Sequence, residues 1–332
     1  MKPLVMVTGG AGFIGSNVVA ELGEQGRYDV AVCDRLGAAA DGKWRNLAKS
    51  ALADVVPPDA LFPWLHRHED RVAAVVHMGA ISATTEPDAD LIVETNFRLS
   101  RDLWRWCAAA GKTLVYASSA ATYGAGERGF DDADDLASLQ ALRPLNAYGW
   151  SKALFDRWAR AQADAGSAPP RWAGLKFFNV YGPNEAHKGP MRSVAHQMWP
   201  KAAAGEPVTL FRSHNPAYAD GGQLRDFVYV LDGARIVAWL LERPELAGVY
   251  NLGTGQARSF LDLAAAVAGA AGRDLRIAWR DTPEDLRDKY QYFTQARMDR
   301  LRALGWTAPF HTLEEGVTDY ARRFLSQPDP YR

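Results

Sequence analysis

The sequence predicts an α/β protein in which a doubly wound parallel sheet is joined to a smaller mixed α/β domain in the C-terminal part. Two observations predict this fold class. Short β-branched runs alternate with segments of helical apolar spacing, as in folds where a crossover helix follows each strand. A glycine-rich turn also stands between the first strand and the first helix. At 332 residues the chain can form one large domain or two closely packed ones.

The composition is that of a globular protein and argues against several kinds of partner. Net charge is −1 and no run of lysine or arginine occurs, so the electrostatic basis for binding nucleic acid or an anionic membrane is missing. Cys33 and Cys107 show neither disulfide nor metal-site spacing, which favours a reducing compartment. His66 and His68 lack a third ligand nearby, so they indicate a solvated helix end and we expect no metal site.

The N-terminal residues lead directly into a strand pattern, and no signal peptide is recognised there. The longest apolar stretch, residues 261–271, is too short and too rich in alanine and glycine to span a bilayer. We therefore expect a cytoplasmic location and no membrane partner.

The first strand, residues 4–7, is followed by glycines at 9, 12 and 15 and by a predicted helix over 16–24. Gly9 permits a tight turn, Gly12 lets the backbone approach a pyrophosphate, and Gly15 lets the helix pack on the sheet. The helix N-terminus supplies free N–H groups for phosphates. A flexible turn is the alternative, but the order strand, glycines, helix predicts a dinucleotide site.

The second strand, 29–33, ends at Asp34 and Arg35, where the adenosine ribose is expected. Asp34 alone favours a free 2′-hydroxyl and hence NAD. Arg35, with Lys43 further along, favours a 2′-phosphate. The pattern leaves both cofactors open and leans towards NADP.

A buried strand over residues 72–77 leads into the loop 78–82, at the sheet edge that faces a cofactor in this fold class. Asn96 opens the next apolar-periodic helix. It is either a polar contact on the cofactor side or a simple helix cap, and the sequence leaves both open.

The strand 113–117 is followed by several hydroxyl side chains, among them Ser118 and Ser119. Further on, Tyr148 and Lys152 are four residues apart and project from one helix face. A phenol is a poor base near neutrality, and a neighbouring ammonium is expected to lower its pKa. Tyr-x-x-x-Lys alone is an ordinary surface pair. With Ser119 it predicts a set that handles the proton during oxidation of an alcohol.

The remaining chain continues the alternation of strands and helices and contains one long irregular loop, residues 213–224. A capping box, Thr312 with Glu315, predicts the start of the last helix. The predicted strands are 227–230, 249–253 and 275–279, and the predicted helices are 234–241, 260–271 and 313–325.

These motifs together resemble a known family, the extended short-chain dehydrogenase/reductases with their Rossmann sheet. Four further blocks, residues 116–124, 185–189, 224–230 and 290–295, are similar to the ADP-L-glycero-D-manno-heptose 6-epimerases, and the resemblance runs from residue 5 to about 321. Two departures lie in the substrate half. Pro190 stands where a serine is common, and the loop 213–224 is longer.

The resemblance implies a role for each matching residue. The cofactor would be NADP, with NAD as the alternative, and the substrate an ADP-heptose. The residues lining NADP would be Gly9, Gly10, Gly12, Phe13, Ile14, Gly15, Asp34, Arg35, Lys43, Met78, Gly79, Ala80, Ile81, Ser82, Asn96, Lys152, Val180 and Lys188. The catalytic residues would be Tyr148 and Lys188 as two acid/bases, supported by Ser119 and Lys152. The nucleotide sugar would contact Ser119, Asn179, Phe211, Arg212, Ser213, His214, Arg225 and Tyr290.

The resemblance also implies a reaction, a domain division and an assembly. The reaction would be C6″ epimerisation through a transient ketone. The assembly would be a homo-oligomer, pentameric or larger. Residues 1–178 with about 226–258 would bind the cofactor, and about 179–225 with 259–332 would bind the substrate.

Other activities of this fold class fit the sequence less well. A 4,6-dehydratase needs an acidic pair where Ala120 and Ala121 stand, and a UDP-sugar 4-epimerase gives Lys188 no role. A dinucleotide sensor without enzymatic activity does not need both Tyr148 and Lys152.

Overall fold

Seven parallel strands form the central sheet of the computed structural model, which describes residues 2–287 and 291–332, with backbone alone at 285 and 286. The twelve strands of the described chain are β1 Leu4–Thr8, β2 Asp29–Cys33, β3 Asp54–Val56, β4 Val72–His77, β5 Thr113–Ser119, β6 Trp172–Phe177, β7 Asn179–Tyr181, β8 Val208–Phe211, β9 Leu224–Tyr229, β10 Ala247–Leu252, β11 Ala257–Ser259 and β12 Ile277–Arg280.

The strand order in the large sheet is β10-β6-β5-β4-β1-β2-β3, which confirms the predicted fold class. The order reverses between β1 and β4, so a crevice opens beyond their carboxyl ends. Two smaller sheets come from the C-terminal half: β7 pairs parallel and β11 antiparallel with β9, and β8 pairs parallel with β12.

The helices cover both faces of the large sheet and fill the C-terminal part. Their bounds are α1 Phe13–Gln25, α2 Leu61–Arg67, α3 Ala89–Ile92, α4 Leu99–Ala110, α5 Leu136–Ala141, α6 Ala147–Asp164, α7 Val194–Ala203, α8 Val230–Leu240, α9 Phe260–Ala270, α10 Glu284–Arg287, α11 Asp299–Ala303 and α12 Leu313–Tyr320. None of the helices within the described residues is both long and apolar enough to cross a membrane.

Three apolar clusters hold these layers together. One face of the sheet packs on α1 and α8, and the other packs on α2, α4 and α6, where Trp104 and Trp172 meet edge to face at 4.9 Å. The third cluster joins α7, α9 and α12 to the smaller sheets. The chain leaves the large sheet after β6 and returns to it with β10. The domain boundaries given above stay a prediction.

Most predicted elements lie within a few residues of the observed ones. The strands over 29–33 and 72–77 are confirmed at both ends. Helix α1 begins at Phe13, three residues before the predicted start, because the last glycine of the turn, Gly15, already lies within the helix. The last helix begins after Thr312, whose side chain forms the predicted capping box with Glu315.

The helix around Asn96 differs from the expected one. The chain is already helical from Ala89, and a π-helical segment, Val93–Arg98, carries Asn96 in its interior before α4 continues. Asp88 is the residue that caps this helix. Asn96 is therefore not a helix cap.

Candidate active site

A cleft of about 660 Å³ lies beyond the carboxyl ends of β1, β4 and β5 and extends to the smaller sheets. Its lining brings together most residues predicted from the sequence. These are Gly9, Gly12, Phe13, Ile14, Gly15, Asp34, Lys43, Met78, Gly79, Ala80, Ser82, Ser119, Tyr148, Lys152, Asn179, Val180 and Lys188.

The glycine turn forms one end of this cleft. Gly9 has φ +67°, and a Cβ there would lie 2.5 Å from the backbone of Gly79. A Cβ on Gly15 would lie 2.1 Å from the carbonyl oxygen of Gly9. No side chain of the described chain caps the first turn of α1, so its N–H groups face the cleft. This cradle fits the pyrophosphate of a dinucleotide.

Asp34 is held by donors on both carboxylate oxygens. Oδ2 accepts from the backbone N–H of Ala11 at 2.9 Å, and Oδ1 accepts from Lys43 Nζ at 2.7 Å and from the N–H of Arg35. Lys43 also donates to the carbonyl oxygen of Arg35 at 2.8 Å. The ammonium of Lys43 therefore lies at the end of the cleft where the sequence predicts the adenosine ribose, while the Arg35 side chain is exposed.

Behind the loop 78–82 lies a buried polar network that fixes its position. Asn96, fully buried, accepts from the N–H of Ile81 at 2.8 Å and donates to the carbonyl oxygen of Ile81 and the hydroxyl of Ser151. Neither Asn96 nor Ile81 lines the cleft itself. The structure thus places Asn96 one layer behind the expected cofactor contact.

His77, at the end of β4, joins the same network. Its Nδ1 lies 2.6 Å from the hydroxyl of Thr8, and its Nε2 lies 2.9 Å from the hydroxyl of Ser100. Burial, with repulsion from Lys152, lowers the pKa of His77 to about 3. The imidazole is therefore neutral at physiological pH.

Tyr148, Lys152 and Ser119 meet where β5 ends and α6 begins. Helix α6 starts after Asn146, whose side chain caps the N–H of Gly149 at 2.8 Å. Lys152 Nζ donates to the carbonyl oxygen of Ala117 at 2.7 Å, which holds the ammonium against the end of β5. The hydroxyl of Ser119 interacts with the Tyr148 phenol.

The protonation behaviour of this set differs from the expectation in one respect. Burial raises the pKa of Tyr148, although the hydrogen bond with Ser119 opposes the rise. The expected lowering by Lys152 is wrong here, because the cost of burying a phenolate exceeds the effect of the neighbouring groups. Burial lowers the pKa of Lys152 to about 8, against the attraction of Asp156.

Lys188 reaches the cleft from the short helical segment Ala186–Met191. Its Nζ lies 5.3 Å from the ring centre of Phe13, and burial lowers its pKa. Glu185 fixes this segment, because its carboxylate accepts from the N–H and hydroxyl of Ser193 and from the hydroxyl of Tyr320. Lys188 and Tyr148 thus line one cleft from two different elements.

The substrate-binding residues expected from the resemblance divide into two groups. Ser119 and Asn179 line the cleft, and the hydroxyl of Thr294 lies 3.4 Å from Asn179 Oδ1. The other described residues of the set, Phe211, Arg212, Ser213, His214 and Arg225, do not line it. Tyr290 lies outside the described residues.

A separate cluster forms around Tyr292. Its hydroxyl lies 2.8 Å from His214 Nδ1 and accepts from the N–H of His214 and Asn215, and its ring packs on Tyr218 at 4.8 Å. Gln291 and Thr294, on either side of Tyr292, line the cleft. The long loop 213–224 therefore contacts the same segment that closes the cleft.

Several lining residues have no counterpart in the sequence prediction. His187 and Arg192 flank the predicted Lys188, and Phe260 and Leu263 come from α9. Burial lowers the pKa of His187 to about 4. The closeness of His187 and Arg192 to Lys188 in the sequence could have indicated these two residues. Phe260 and Leu263 could not be predicted, because α9 approaches the cleft only through the tertiary fold. No group of three metal-binding side chains occurs in residues 2–287 and 291–332.

Comparison with known proteins places these features in a family context. Residues 5–253 match the model of the NAD dependent epimerase/dehydratase family. The chain is 49% identical over 331 residues to an ADP-L-glycero-D-manno-heptose-6-epimerase of Nitratidesulfovibrio vulgaris strain Hildenborough, covering 99% of this chain and 100% of the relative. It is 44% identical over 336 residues to the enzyme of that name from Fusobacterium nucleatum, with 99% and 100% covered.

Solved structures agree with the relatives found by sequence. A Helicobacter pylori ADP-L-glycero-D-manno-heptose-6-epimerase aligns with a TM-score of 0.80 at 28% identity, over 98% of this chain and 97% of that one. A Thermus thermophilus UDP-glucose 4-epimerase in complex with NAD aligns with a TM-score of 0.76 at 29% identity, over 97% and 99%.

Proposed function

The chain belongs to the NAD dependent epimerase/dehydratase family, and from this premise we propose that it is an ADP-heptose 6-epimerase. Its substrate is ADP-D-glycero-β-D-manno-heptose and its product is the L-glycero epimer at C6″. Relatives of 44–49% identity that carry this name over nearly their full length support the substrate. The structural observation that carries the mechanism is that Tyr148 and Lys188 line one cleft with the glycine turn.

Oxidation begins at the side of Tyr148. A nicotinamide dinucleotide held at the glycine turn would supply the hydride acceptor and later the hydride donor. Tyr148 removes the proton of the 6″-hydroxyl while C6″ loses its hydride, and a 6″-ketone results. Ser119 hydrogen-bonds the reacting oxygen. Lys152, one turn further along α6, lines the same cleft and is held by its hydrogen bond to the carbonyl oxygen of Ala117.

Inversion requires the hydride to return to the opposite face of C6″ after the side arm of the sugar has rotated. The ketone oxygen then regains a proton. Because the rotation has moved this oxygen, one residue cannot reach its positions before and after the rotation equally well. Lys188 is the second acid/base, and burial lowers the pKa of its ammonium, which makes it a better proton donor. The hydride that leaves C6″ returns to C6″, so the net redox change is zero and the dinucleotide would stay bound. Tyr148 has then gained a proton and Lys188 has lost one, and exchange with water restores both residues before the next turnover.

NADP is the proposed cofactor, and NAD is the alternative. Asp34 already accepts three hydrogen bonds, from Ala11, Arg35 and Lys43, so its capacity to accept from ribose hydroxyls is reduced. Lys43 and the exposed Arg35 offer positive charge for a 2′-phosphate. The family description and the NAD in the Thermus thermophilus structure favour the alternative.

Three further proposals concern the assembly and the cellular context, and those on the oligomer and on the product rest on the resemblance. The enzyme is a homo-oligomer, pentameric or larger, which sedimentation analysis tests. It acts in the cytoplasm. Its product is a precursor of heptose-containing surface polysaccharide, such as the lipopolysaccharide inner core.

The test is NMR of ADP-D-glycero-D-manno-heptose incubated with the wild type, Tyr148→Phe, Lys188→Met and the control Lys201→Met. Lys201 lies on α7 and contacts Thr209, outside the cleft lining. We expect the wild type and Lys201→Met to interconvert the C6″ epimers. Loss of an acid/base group is expected to slow the reaction about 10²–10⁴-fold in Tyr148→Phe and Lys188→Met.

Each other outcome has a definite meaning. No interconversion by a wild type that retains its dinucleotide would overturn the substrate assignment. Interconversion of UDP-glucose and UDP-galactose instead would establish the 4-epimerase alternative. Full activity of Lys188→Met would leave Tyr148 as the one acid/base.

A further inference from the structure

A buried ion pair lies directly beneath the catalytic helix face. Lys176 Nζ and Asp156 Oδ2 are 2.7 Å apart, and each side chain is 1% exposed. Asp156 lies one turn beyond Lys152 and two turns beyond Tyr148 on α6, so the three side chains share one face. Lys176 comes from β6, next to β5 in the sheet.

The partners of this pair hold the segment that carries Ser119. Asp156 accepts from the hydroxyl of Ser118 at 2.7 Å and from that of Tyr116 at 3.1 Å. Lys176 also donates to the hydroxyl of Thr122 at 2.7 Å, and this hydroxyl donates to the carbonyl oxygen of Ser119. The pair therefore links β6, the end of β5 and α6 under the reacting groups.

The pair also places two opposite charges close to Tyr148 and Lys152. Burial is the main cause of the pKa shifts of Tyr148 and Lys152, raising the first and lowering the second, and the Asp156 carboxylate adds an upward contribution to both. Such a carboxylate without a counter-charge would keep the phenol protonated and the ammonium charged. The Lys176 ammonium lies 2.7 Å from this carboxylate and carries the opposite charge.

Other titratable groups face the same region from neighbouring elements. His77 lies on β4, Tyr116 on β5, Tyr123 on the following turn and Arg157 on α6. Burial keeps His77 neutral, and burial raises the pKa of both tyrosines well above the ordinary value. Arg157 is turned towards the carbonyl oxygens of residues 139 and 142. Lys176 is thus the cation in direct contact with Asp156.

A buried ion pair is a weak source of stability, because two charges must leave water and apolar residues of similar volume often replace it at no cost. We propose that Lys176 is a positioning residue of the reaction centre: its ammonium compensates the Asp156 carboxylate and so keeps the Tyr148–Lys152 pair able to exchange a proton near neutral pH. The catalytic consequence rests on the proposed function, whereas the electrostatic effect does not depend on any substrate.

The test follows the ionisation of Lys152 by NMR in protein labelled with ¹³C at lysine Cε, with the same dinucleotide content in every sample. Lys152→Met assigns the resonance. We expect Lys152 to titrate near pH 8 in the wild type. We expect the pKa of Lys152 to rise by about one unit in Lys176→Met, where Asp156 has lost its counter-charge. We expect it to fall by about one unit in Asp156→Asn, where Lys176 has lost its counter-charge.

Two controls separate charge from structure. The variant Lys176→Arg retains the positive charge, and the double variant Asp156→Asn/Lys176→Met removes both charges. In each of these two proteins Lys152 should titrate near the wild-type pH. A purely structural role predicts a loss of stability with no ordered shift. A Lys152 resonance that titrates at the same pH in all five proteins would overturn the proposal.

The same variants show whether the pair matters for turnover. If the wild type epimerises ADP-heptose, the pH dependence of kcat should be shifted in Lys176→Met and Asp156→Asn relative to the wild type. In each variant the direction should be that of the change in the Lys152 pKa. If the wild type is inactive on this substrate, the proposed function fails, while the NMR titration still decides the electrostatic proposal.

Discussion

At the scale of single residues, His77 shows how the fold makes a polar side chain serve as a rigid support. The hydroxyl of Thr8 lies 2.6 Å from Nδ1 of the ring, and the hydroxyl of Ser100 lies 2.9 Å from Nε2. His77 is 1% exposed. A neutral imidazole satisfies both hydroxyls, whereas a protonated one would be buried beside the Lys152 ammonium. Protonation is therefore coupled to unfolding.

This coupling predicts a pH dependence of stability. The pKa of His77 is about 3 in the fold and near 6.5 when unfolded. The unfolded state thus binds more protons between these values, and stability falls as pH drops below 6.5. From pH 7 to pH 5 the loss is about 2 kcal/mol in the free energy of unfolding.

Urea unfolding of the wild type and His77→Gln at pH 7 and pH 5 measures the effect. His187 and His196 also have lowered pKa values and titrate in both proteins, so the difference between the two isolates His77. Equal losses in the two proteins would show that His77 is not the responsible group.

Lys43 is the residue on which the choice of cofactor is expected to depend. Its ammonium lies 2.7 Å from Asp34 and lines the cleft. Lys43→Met should weaken NADP binding about tenfold and leave NAD binding nearly unchanged, because only NADP carries a 2′-phosphate. Calorimetric titration of the cofactor-free protein measures both affinities.

Lys49 offers a matched control for this change. It lies in the same region but contacts Asp329 and the carbonyl oxygen of Tyr331 instead of the cleft. Lys49→Met should change neither affinity. An equal loss for NAD and NADP in Lys43→Met would place Lys43 at the shared part of the dinucleotide.

At the scale of elements, α1 contains two glycines with different surroundings. Gly15 touches the glycine turn, and a Cβ there would lie 2.1 Å from the carbonyl oxygen of Gly9. Gly23 has open space in the position of a Cβ. The same substitution therefore tests packing at one position and helix propensity at the other.

Gly15→Ala should lower stability by about 1–3 kcal/mol and weaken dinucleotide binding, because the turn must move away from the new methyl group. Gly23→Ala should raise stability by about 0.5–1 kcal/mol without changing binding. Thermal unfolding and cofactor titration of both variants provide the measurements. Unimpaired binding in Gly15→Ala would mean that the turn tolerates the displacement.

The sequence predicted elements whose signal is local. β2 and β4 are bounded by abrupt changes from β-branched to polar residues, so their ends were predictable. The glycine turn and the Tyr148–Lys152 pair are also local patterns. The beginning of α1 was missed because Phe13 and Ile14 belong both to the turn and to the helix.

Contacts that depend on strand register were beyond the sequence. Lys176 meets Asp156 because Ser118 and Lys176 are register partners in the β5–β6 pair and α6 lies across them. Asn96 was assigned to a cap or a cofactor contact, yet it holds Ile81 from behind. Its depth in the fold is a property of packing.

At the scale of the whole molecule, the C-terminal segment joins distant parts of the cofactor side. The Arg332 guanidinium contacts Glu21 and Glu24 of α1 at 2.8 Å, and its backbone N–H donates to Asn184 Oδ1 at 2.9 Å. Asn184 has φ +71° and lies just before the segment that carries Lys188. Arg332 therefore ties α1 to the turn that leads to the proposed second acid/base.

The strength of this tie is measurable against an exposed ion pair. Arg332 is 7% exposed and Glu21 12%, whereas Arg323, which pairs with Asp319 on the last helix, is 58% exposed. Arg332→Met should lower the free energy of unfolding by about 1–3 kcal/mol, because it leaves Glu21 half-buried without its cation. Arg323→Met should change it by less than about 0.5 kcal/mol.

Hydrogen exchange distinguishes a local tie from a general loss of stability. If Arg332 holds the turn before Lys188, amides of residues 182–188 should exchange faster in Arg332→Met even under conditions where the protein remains folded. The strands of the large sheet should keep their protection. Uniformly faster exchange across the sheet would show that Arg332 stabilises the molecule as a whole and has no particular effect on the segment that presents Lys188.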